Sequence, residues 1–166
     1  MESYNPLKVI SYTIGFQEVP NETSLILNIS GCPYKCRGCH SDYLWEDKGD
    51  ILNEHSLNNF MSHYNNYITC ICFMGGDWSY NDIKNLSNII HNLGIKVCLY
   101  SGNSKVNANY FSFLDYYKAG NYNETLGGLD SINTNQVFYK IENKGKIITD
   151  ITYEFQKKGL KYAYSS

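Results

Sequence analysis

No apolar run in the 166 residues approaches the roughly 18 that a membrane helix needs, so no membrane-spanning segment is expected. The first residues, MESYNPLKVISYTIG, lack a basic segment leading into an apolar run and a small-residue cleavage site, so no secretory signal is expected either. Charge is scarce: 14 Lys and Arg stand against 16 Asp and Glu, a net charge of −2. That balance excludes the basic footprint of a nucleic-acid or anionic-lipid binder. No internal repeat or low-complexity linker divides the chain, so one domain over residues 1–166 is expected, long enough to bury a core. Together these absences describe a soluble, cytoplasmic protein. In a reducing compartment, six cysteines do not read as a disulfide framework.

What is present falls into two parts. Tyrosine (16 residues) and asparagine are abundant, which is the residue usage of an AT-rich genome rather than a functional signal. The cysteines are more telling. Cys32, Cys36 and Cys39 sit in SGCPYKCRGCHS, among glycines and a proline, whereas Cys70, Cys72 and Cys98 sit inside apolar runs. Cysteine in an apolar run behaves as a small buried hydrophobe, so the second group is assigned to the core.

Periodicity orders the elements. SLILNIS (24–30) alternates, with Leu25, Leu27 and Ile29 on one face, and predicts a strand running straight into the cysteine loop. Leu57, Phe60, Met61 and Tyr64 follow helical spacing. ITCICFM (68–74) is apolar throughout and ends at Gly75–Gly76, which suits a strand buried on both faces. A second helix is predicted from a Ser79/Asp82 capping box, a stripe of Ile83, Leu86, Ile90 and Leu93, and a stop at Gly94. IKVCLY (95–100), NYFSFLDYY (109–117) and QVFYKIE (136–142) are further strand candidates. The β–α–β–α–β order predicts an α/β fold with a mainly parallel sheet. A complete eight-fold barrel needs about 250 residues, so an open partial (β/α) barrel is expected, with the cysteine loop after an early strand. Ligands of such sheets bind outside the carboxyl ends of the strands. The cysteine loop, Gly75–Gly76–Asp77 and Ser101–Gly102 each follow a predicted strand and so converge on that edge.

Three clustered thiols admit several chemistries. A structural zinc site wants four ligands, and the nearest fourth candidate, His40, adjoins Cys39 and reaches the same metal only with strain. An iron–sulfur cubane is normally held by four thiolates, one per iron, so three leave one iron open. An open corner is a deficiency in an electron carrier and an asset in a catalyst, because a substrate can bind there. Gly31 and Gly38 let the backbone wrap a bulky cluster, and Pro33 stiffens the loop.

The C-x3-C-x2-C spacing after the first predicted strand resembles the signature of the radical S-adenosylmethionine enzymes. That resemblance implies a 4Fe-4S cluster held by Cys32, Cys36 and Cys39, with S-adenosylmethionine on the fourth iron and cleaved to a 5′-deoxyadenosyl radical. Met74-Gly75-Gly76-Asp77 resembles the family's Gly-Gly-Glu motif, which implies that Gly75, Gly76 and Asp77 meet the cofactor's amino group. Tyr100-Ser101-Gly102 resembles the segment near the ribose.

Residues 15–45, GFQEVPNETSLILNISGCPYKCRGCHSDYLW, are similar to the opening of the anaerobic ribonucleoside-triphosphate reductase activating proteins. LDYYKAGNY (114–122) and SINTNQVFYKI (131–141) resemble two later stretches of that group, with Asn121 where proline and Val137 where arginine are usual. Gly38 stands where many radical enzymes carry an aromatic residue. The resemblance implies an activase that installs a glycyl radical on the C-terminal glycine loop of the large catalytic subunit of the anaerobic reductase. It also implies a low-potential electron donor such as flavodoxin or ferredoxin. Asn133 is a further candidate for the cofactor site, and Asp115, Asn135, Gln136 and Trp45 are candidates for cofactor or partner contacts. Two other readings stay open: another small radical enzyme, or a non-catalytic zinc-binding or electron-transfer module.

Overall fold

Alternation along β2 (Ser24–Ile29) puts Leu25, Leu27 and Ile29 on one face and Ile26 on the other. β4 (Cys70–Met74) and β5 (Lys96–Tyr100) lie beside it, parallel and in register, with Leu27 opposite Phe73 and Phe73 opposite Leu99. In the computed structural model, which describes residues 5–156, these strands form the middle of one eight-stranded sheet ordered β3-β1-β2-β4-β5-β6-β7-β8. The remaining strands are β1 (Lys8–Gly15), β3 (Asp50–Ile51), β6 (Tyr116–Ala119), β7 (Val137–Glu142) and β8 (Ile147–Asp150).

Two helices cover one face. α1 (Glu54–Tyr64) begins with a reciprocal capping box between Asn53 and Ser56 and buries Leu57 and Met61. α2 (Tyr80–Asn92) buries Ile83, Leu86 and Ile90. Both dock on Leu27, Ile71, Phe73, Val97 and Leu99, all 0 % exposed. Burial of each such side chain contributes about 1.5–3 kcal/mol, so this layer holds the fold together. The opposite face carries Val19, Ile26, Cys70, Cys72, Cys98, Tyr116 and Phe138, with Leu129 and the helical residue Phe155 packed against it. Cys70, Cys72 and Cys98 are fully buried there.

The expected mainly parallel sheet and open partial barrel are overturned. Pairings β2/β4, β4/β5 and β5/β6 are parallel, but β1/β2, β1/β3, β6/β7 and β7/β8 are antiparallel, four of the seven. A barrel needs a crossover after every strand, and among the described residues only α1 and α2 are long enough to serve. Past β5 the chain makes a short 3-10 turn, Ala108–Ser112, and from β6 onward it doubles back in hairpin fashion. The strand predicted over 109–117 divides accordingly. Its apolar residues Tyr110, Phe113 and Leu114 are buried at helical spacing, and the strand begins only at Tyr116. Leu93 also departs from expectation: it caps α2 and is 48 % exposed. Ser79 precedes α2 as predicted, but its hydroxyl donates to the Asp82 carboxylate at 2.7 Å and makes no cap bond to the backbone. Gly94, with φ +76°, ends the helix.

The parallel block is what positions the site. β2, β4, β5 and β6 run the same way, so the loops leaving Ile29, Met74, Tyr100 and Ala119 emerge on one edge.

Candidate metal centre

The cysteine loop is tied down at both ends. Ser30, buried at the end of β2, donates its backbone N–H to Lys8 O at 3.0 Å. Its hydroxyl donates to Lys48 O and accepts the Lys48 N–H at 3.1 Å, which closes the loop on itself. Within it, the Cys32 N–H reaches Leu44 O at 2.9 Å and the Cys39 N–H reaches Cys36 O at 3.1 Å. Gly38 has φ +75°, a backbone conformation that favours glycine, and a Cβ there would lie 2.6 Å from Glu124 Oε2 and displace that side chain. Glu124 in turn pairs with Arg37 at 3.0 Å, and the ring of Tyr122 lies 5.6 Å from that of His40. The loop after β6 thus leans on the cysteine loop.

The three thiols are free and half-exposed. Burial pushes the Cys32 thiol up, while the N–H groups of Tyr34 and Lys35 on its sulfur pull it down. Cys39 Sγ accepts the Ser41 N–H at 3.3 Å. Backbone N–H groups directed at sulfur are how a protein tunes a bound iron–sulfur cluster. Among the described residues, no three His, Cys, Asp or Glu side chains gather closely enough to hold one metal ion. Three thiols in one loop with backbone N–H groups on sulfur have the donor chemistry that suits an iron–sulfur cluster.

Next to this loop, β4 ends in Gly75–Gly76–Asp77. Asp77 Oδ2 accepts two hydrogen bonds, one from the Tyr34 hydroxyl and one from Ser101 Oγ at 2.8 Å. Its other oxygen, Oδ1, is buried with no partner among the described residues. Burial raises the Asp77 carboxyl against the pull of these donors. An unpartnered buried carboxylate oxygen is costly, and a donor from water, an ion or a ligand removes that cost.

Lys118, near the end of β6, is a functional candidate that the sequence reading missed. It is 8 % exposed, and its ammonium donates to Gly120 O at 2.8 Å and Ser101 O at 3.2 Å. Burial pushes it down to about 8, opposed by the charges of Cys36, Asp77, Cys39 and Cys32. The one available signal was a lysine inside the otherwise apolar strand Tyr116-Tyr117-Lys118-Ala119.

The remaining candidates scatter. Ser101 belongs to the site through Asp77. Gly102 also belongs to it, because a Cβ there would lie 2.9 Å from the Tyr34 ring. The Tyr100 side chain instead packs on the second face, against Phe138 at 5.9 Å, with its hydroxyl on Glu18 O. Gln136 and Asn135 brace the loop after β6, through Gly120 O and Asn121 O respectively. Asn133 is exposed on the same loop. Trp45 closes the short turn after the cysteines and keeps its indole N–H buried, without a partner among the described residues. Asp115 is not brought to the site: it precedes β6, at the opposite end of the strands. There it accepts the Val97 N–H at 2.8 Å and lies 2.7 Å from His91 Nε2.

Beside Cys36 opens a cleft of about 490 Å³, between Tyr34, Gly102, Asn103 and the loop 121–125. Among the described residues no helix is long and apolar enough to cross a membrane. Searches of curated proteins and of solved structures find no match. Residues 22–110 match the model of the family described as the 4Fe-4S single cluster domain. That span takes in Cys32, Cys36 and Cys39, the Gly75–Asp77 turn and Ser101–Gly102, and it exceeds half of the 166 residues. The chain belongs to the 4Fe-4S single cluster domain family.

Proposed function

We propose that this protein is a cytoplasmic radical S-adenosylmethionine activase that installs a glycyl radical on anaerobic ribonucleoside-triphosphate reductase. The observation that carries the reading is the buried Asp77 Oδ1, without a partner among the described residues, on a carboxylate tied to the cysteine loop through Tyr34. The methionine end of S-adenosylmethionine carries one ammonium and one carboxylate. Asp77 supplies an acceptor for the first. Lys118, with three N–H donors of which two reach carbonyls, supplies a donor for the second.

Cys32, Cys36 and Cys39 would hold the cluster, and Gly75, Gly76, Asp77, Ser101 and Lys118 would hold the cofactor. One-electron cleavage of the sulfonium, followed by hydrogen-atom abstraction, is the chemistry that cluster and cofactor supply when bound. The protein's own residues do the rest. Tyr34 and Ser101 fix the Asp77 carboxylate, and the loop from β6 leans over the cysteines through Glu124 and Tyr122. The amides of Asn103, Asn121 and Asn123 line the cleft beside Cys36 and suit an uncharged peptide backbone, such as a glycine loop of a partner subunit. A low-potential donor such as flavodoxin or ferredoxin would supply the electron.

The test mixes the iron-loaded, reduced protein with S-adenosylmethionine and the reductase subunit under nitrogen. The expected products are 5′-deoxyadenosine and a glycyl-radical doublet in electron paramagnetic resonance. 5′-Deoxyadenosine without a radical on the reductase removes that partner, and zinc uptake with no iron uptake removes the radical reading.

A further inference from the structure

Three loops meet on a single oxygen atom. The Tyr34 hydroxyl, from the cysteine loop after β2, and Ser101 Oγ, from the loop after β5, both donate to Asp77 Oδ2, after β4. The Tyr34 ring is seated as closely as its hydroxyl. It lies against Gly102, where a Cβ would approach to 2.9 Å, and edge-on to Trp78 at 6.5 Å. Tyr34 also stands between Cys32 and Cys36, so whatever holds it holds the ligand loop.

With two donors on Oδ2 the carboxylate is held in one orientation, and Oδ1 is left buried with no partner among the described residues. A carboxylate lacking the Tyr34 donor would be free to turn and would split its acceptor capacity between two oxygens. We infer that Tyr34 is a positioning residue: its hydroxyl aims Asp77 Oδ1 at the α-ammonium of an amino-acid-bearing cofactor and couples capture of that ammonium to the geometry of the cysteine loop. The inference rests on the reading above that S-adenosylmethionine binds here, and it adds how the ammonium is selected.

The test is a ligand titration of the full-length, iron-loaded Tyr34→Phe protein, with S-adenosylmethionine and with an analogue lacking only the α-amino group. Phenylalanine keeps the ring on Gly102 and Trp78 and deletes only the donor. Iron content and melting temperature stay at wild-type values. Affinity for S-adenosylmethionine falls about ten- to a hundredfold, the worth of a hydrogen bond to a charged group. Against the desamino analogue the same substitution costs less than about twofold, because the coupling runs through the missing ammonium. The perturbation of the reduced-cluster resonance by added S-adenosylmethionine shifts to correspondingly higher ligand concentration.

An equal loss for both ligands makes Tyr34 a scaffold residue and overturns the inference, as does unchanged affinity. Failure of the wild-type protein to bind S-adenosylmethionine overturns the underlying reading instead. Should Tyr34→Phe not take up iron, Ser101→Ala removes the other donor to the same oxygen. It is expected to show the same ligand-dependent loss, and its absence there overturns the inference too.

Discussion

Cys32, Cys36 and Cys39 lie half-exposed in a loop, while Cys70, Cys72 and Cys98 are sealed at 0 % exposure on one face of the sheet. Cys72 and Cys98 are register partners on adjacent parallel strands, packed among Ile26, Tyr116 and Phe138. The residue type is the same and the chemistry is opposite. In the loop, burial pushes the Cys32 thiol up while the N–H groups of Tyr34 and Lys35 pull against it, and the Ser41 N–H reaches Cys39 Sγ, so these sulfurs are partly open and meet backbone donors. In the strands, burial pushes Cys70 and Cys98 well above the ordinary thiol range and leaves them neutral and inert. What differs first is the depth of burial, and with it access to a ligand.

The comparison breaks most decisively on iron. Changing Cys32, Cys36 or Cys39 to Ala is expected to abolish cluster uptake almost completely, with the denaturant midpoint of the iron-free protein nearly unchanged. Cys70→Ala, Cys72→Ala and Cys98→Ala are expected to keep full iron per folded chain. Loss of iron in Cys70→Ala with folding intact would erase the distinction between the two groups. Next in size is the lysine. Lys118→Met keeps the buried stem and removes the charge, and affinity for S-adenosylmethionine should fall about ten- to a hundredfold by titration of the iron-loaded protein. Wild-type affinity would separate Lys118 from the cofactor.

On stability the order reverses. Cys72→Ala and Cys98→Ala each leave a void in a closed layer and should cost about 1–3 kcal/mol in denaturant melts, more than any loop cysteine.

The smallest effect is in pH. Folded Cys70 and Cys98 hold their protons where the unfolded chain has lost them, above the ordinary value of 9.0. The native state then binds more protons than the unfolded one, so stability falls as pH rises past 9.0, by at most about 1.4 kcal/mol per pH unit and thiol. Lys118, lowered to about 8 from 10.5, acts in the other direction between those values. Iron-free protein should therefore show a shallow stability maximum near pH 9, with a gentler alkaline decline in Cys98→Ala. An equally steep decline in that variant would place the titrating thiols elsewhere.

Much of this was legible locally. The helix stripes, the central strands and the sorting of cysteines all rest on periodicity and composition. The edges were not: β1, with Tyr12 at 51 % exposure, and β8, with all four residues exposed, carry no apolar signature strong enough to mark a strand. The 109–117 segment misled because aromatic residues favour strands in general, while these are buried at the spacing of a 3-10 turn. In the site, the cysteine spacing and Gly-Gly-Asp were visible, but Lys118 lay just past the strand expected over 109–117 and drew no assignment.

The sequence by itself determined which residues can ligate, which must be buried and where the central strands end, because each of these is a property of a few neighbouring side chains. Strand direction at the flanks, the removal of Asp115 to the far end of the sheet, and the meeting of Tyr34 with Asp77, 43 residues away, were decided only by the tertiary structure. Pairing direction and long-range contact follow from how loops close and layers pack, and no local run of residues encodes them.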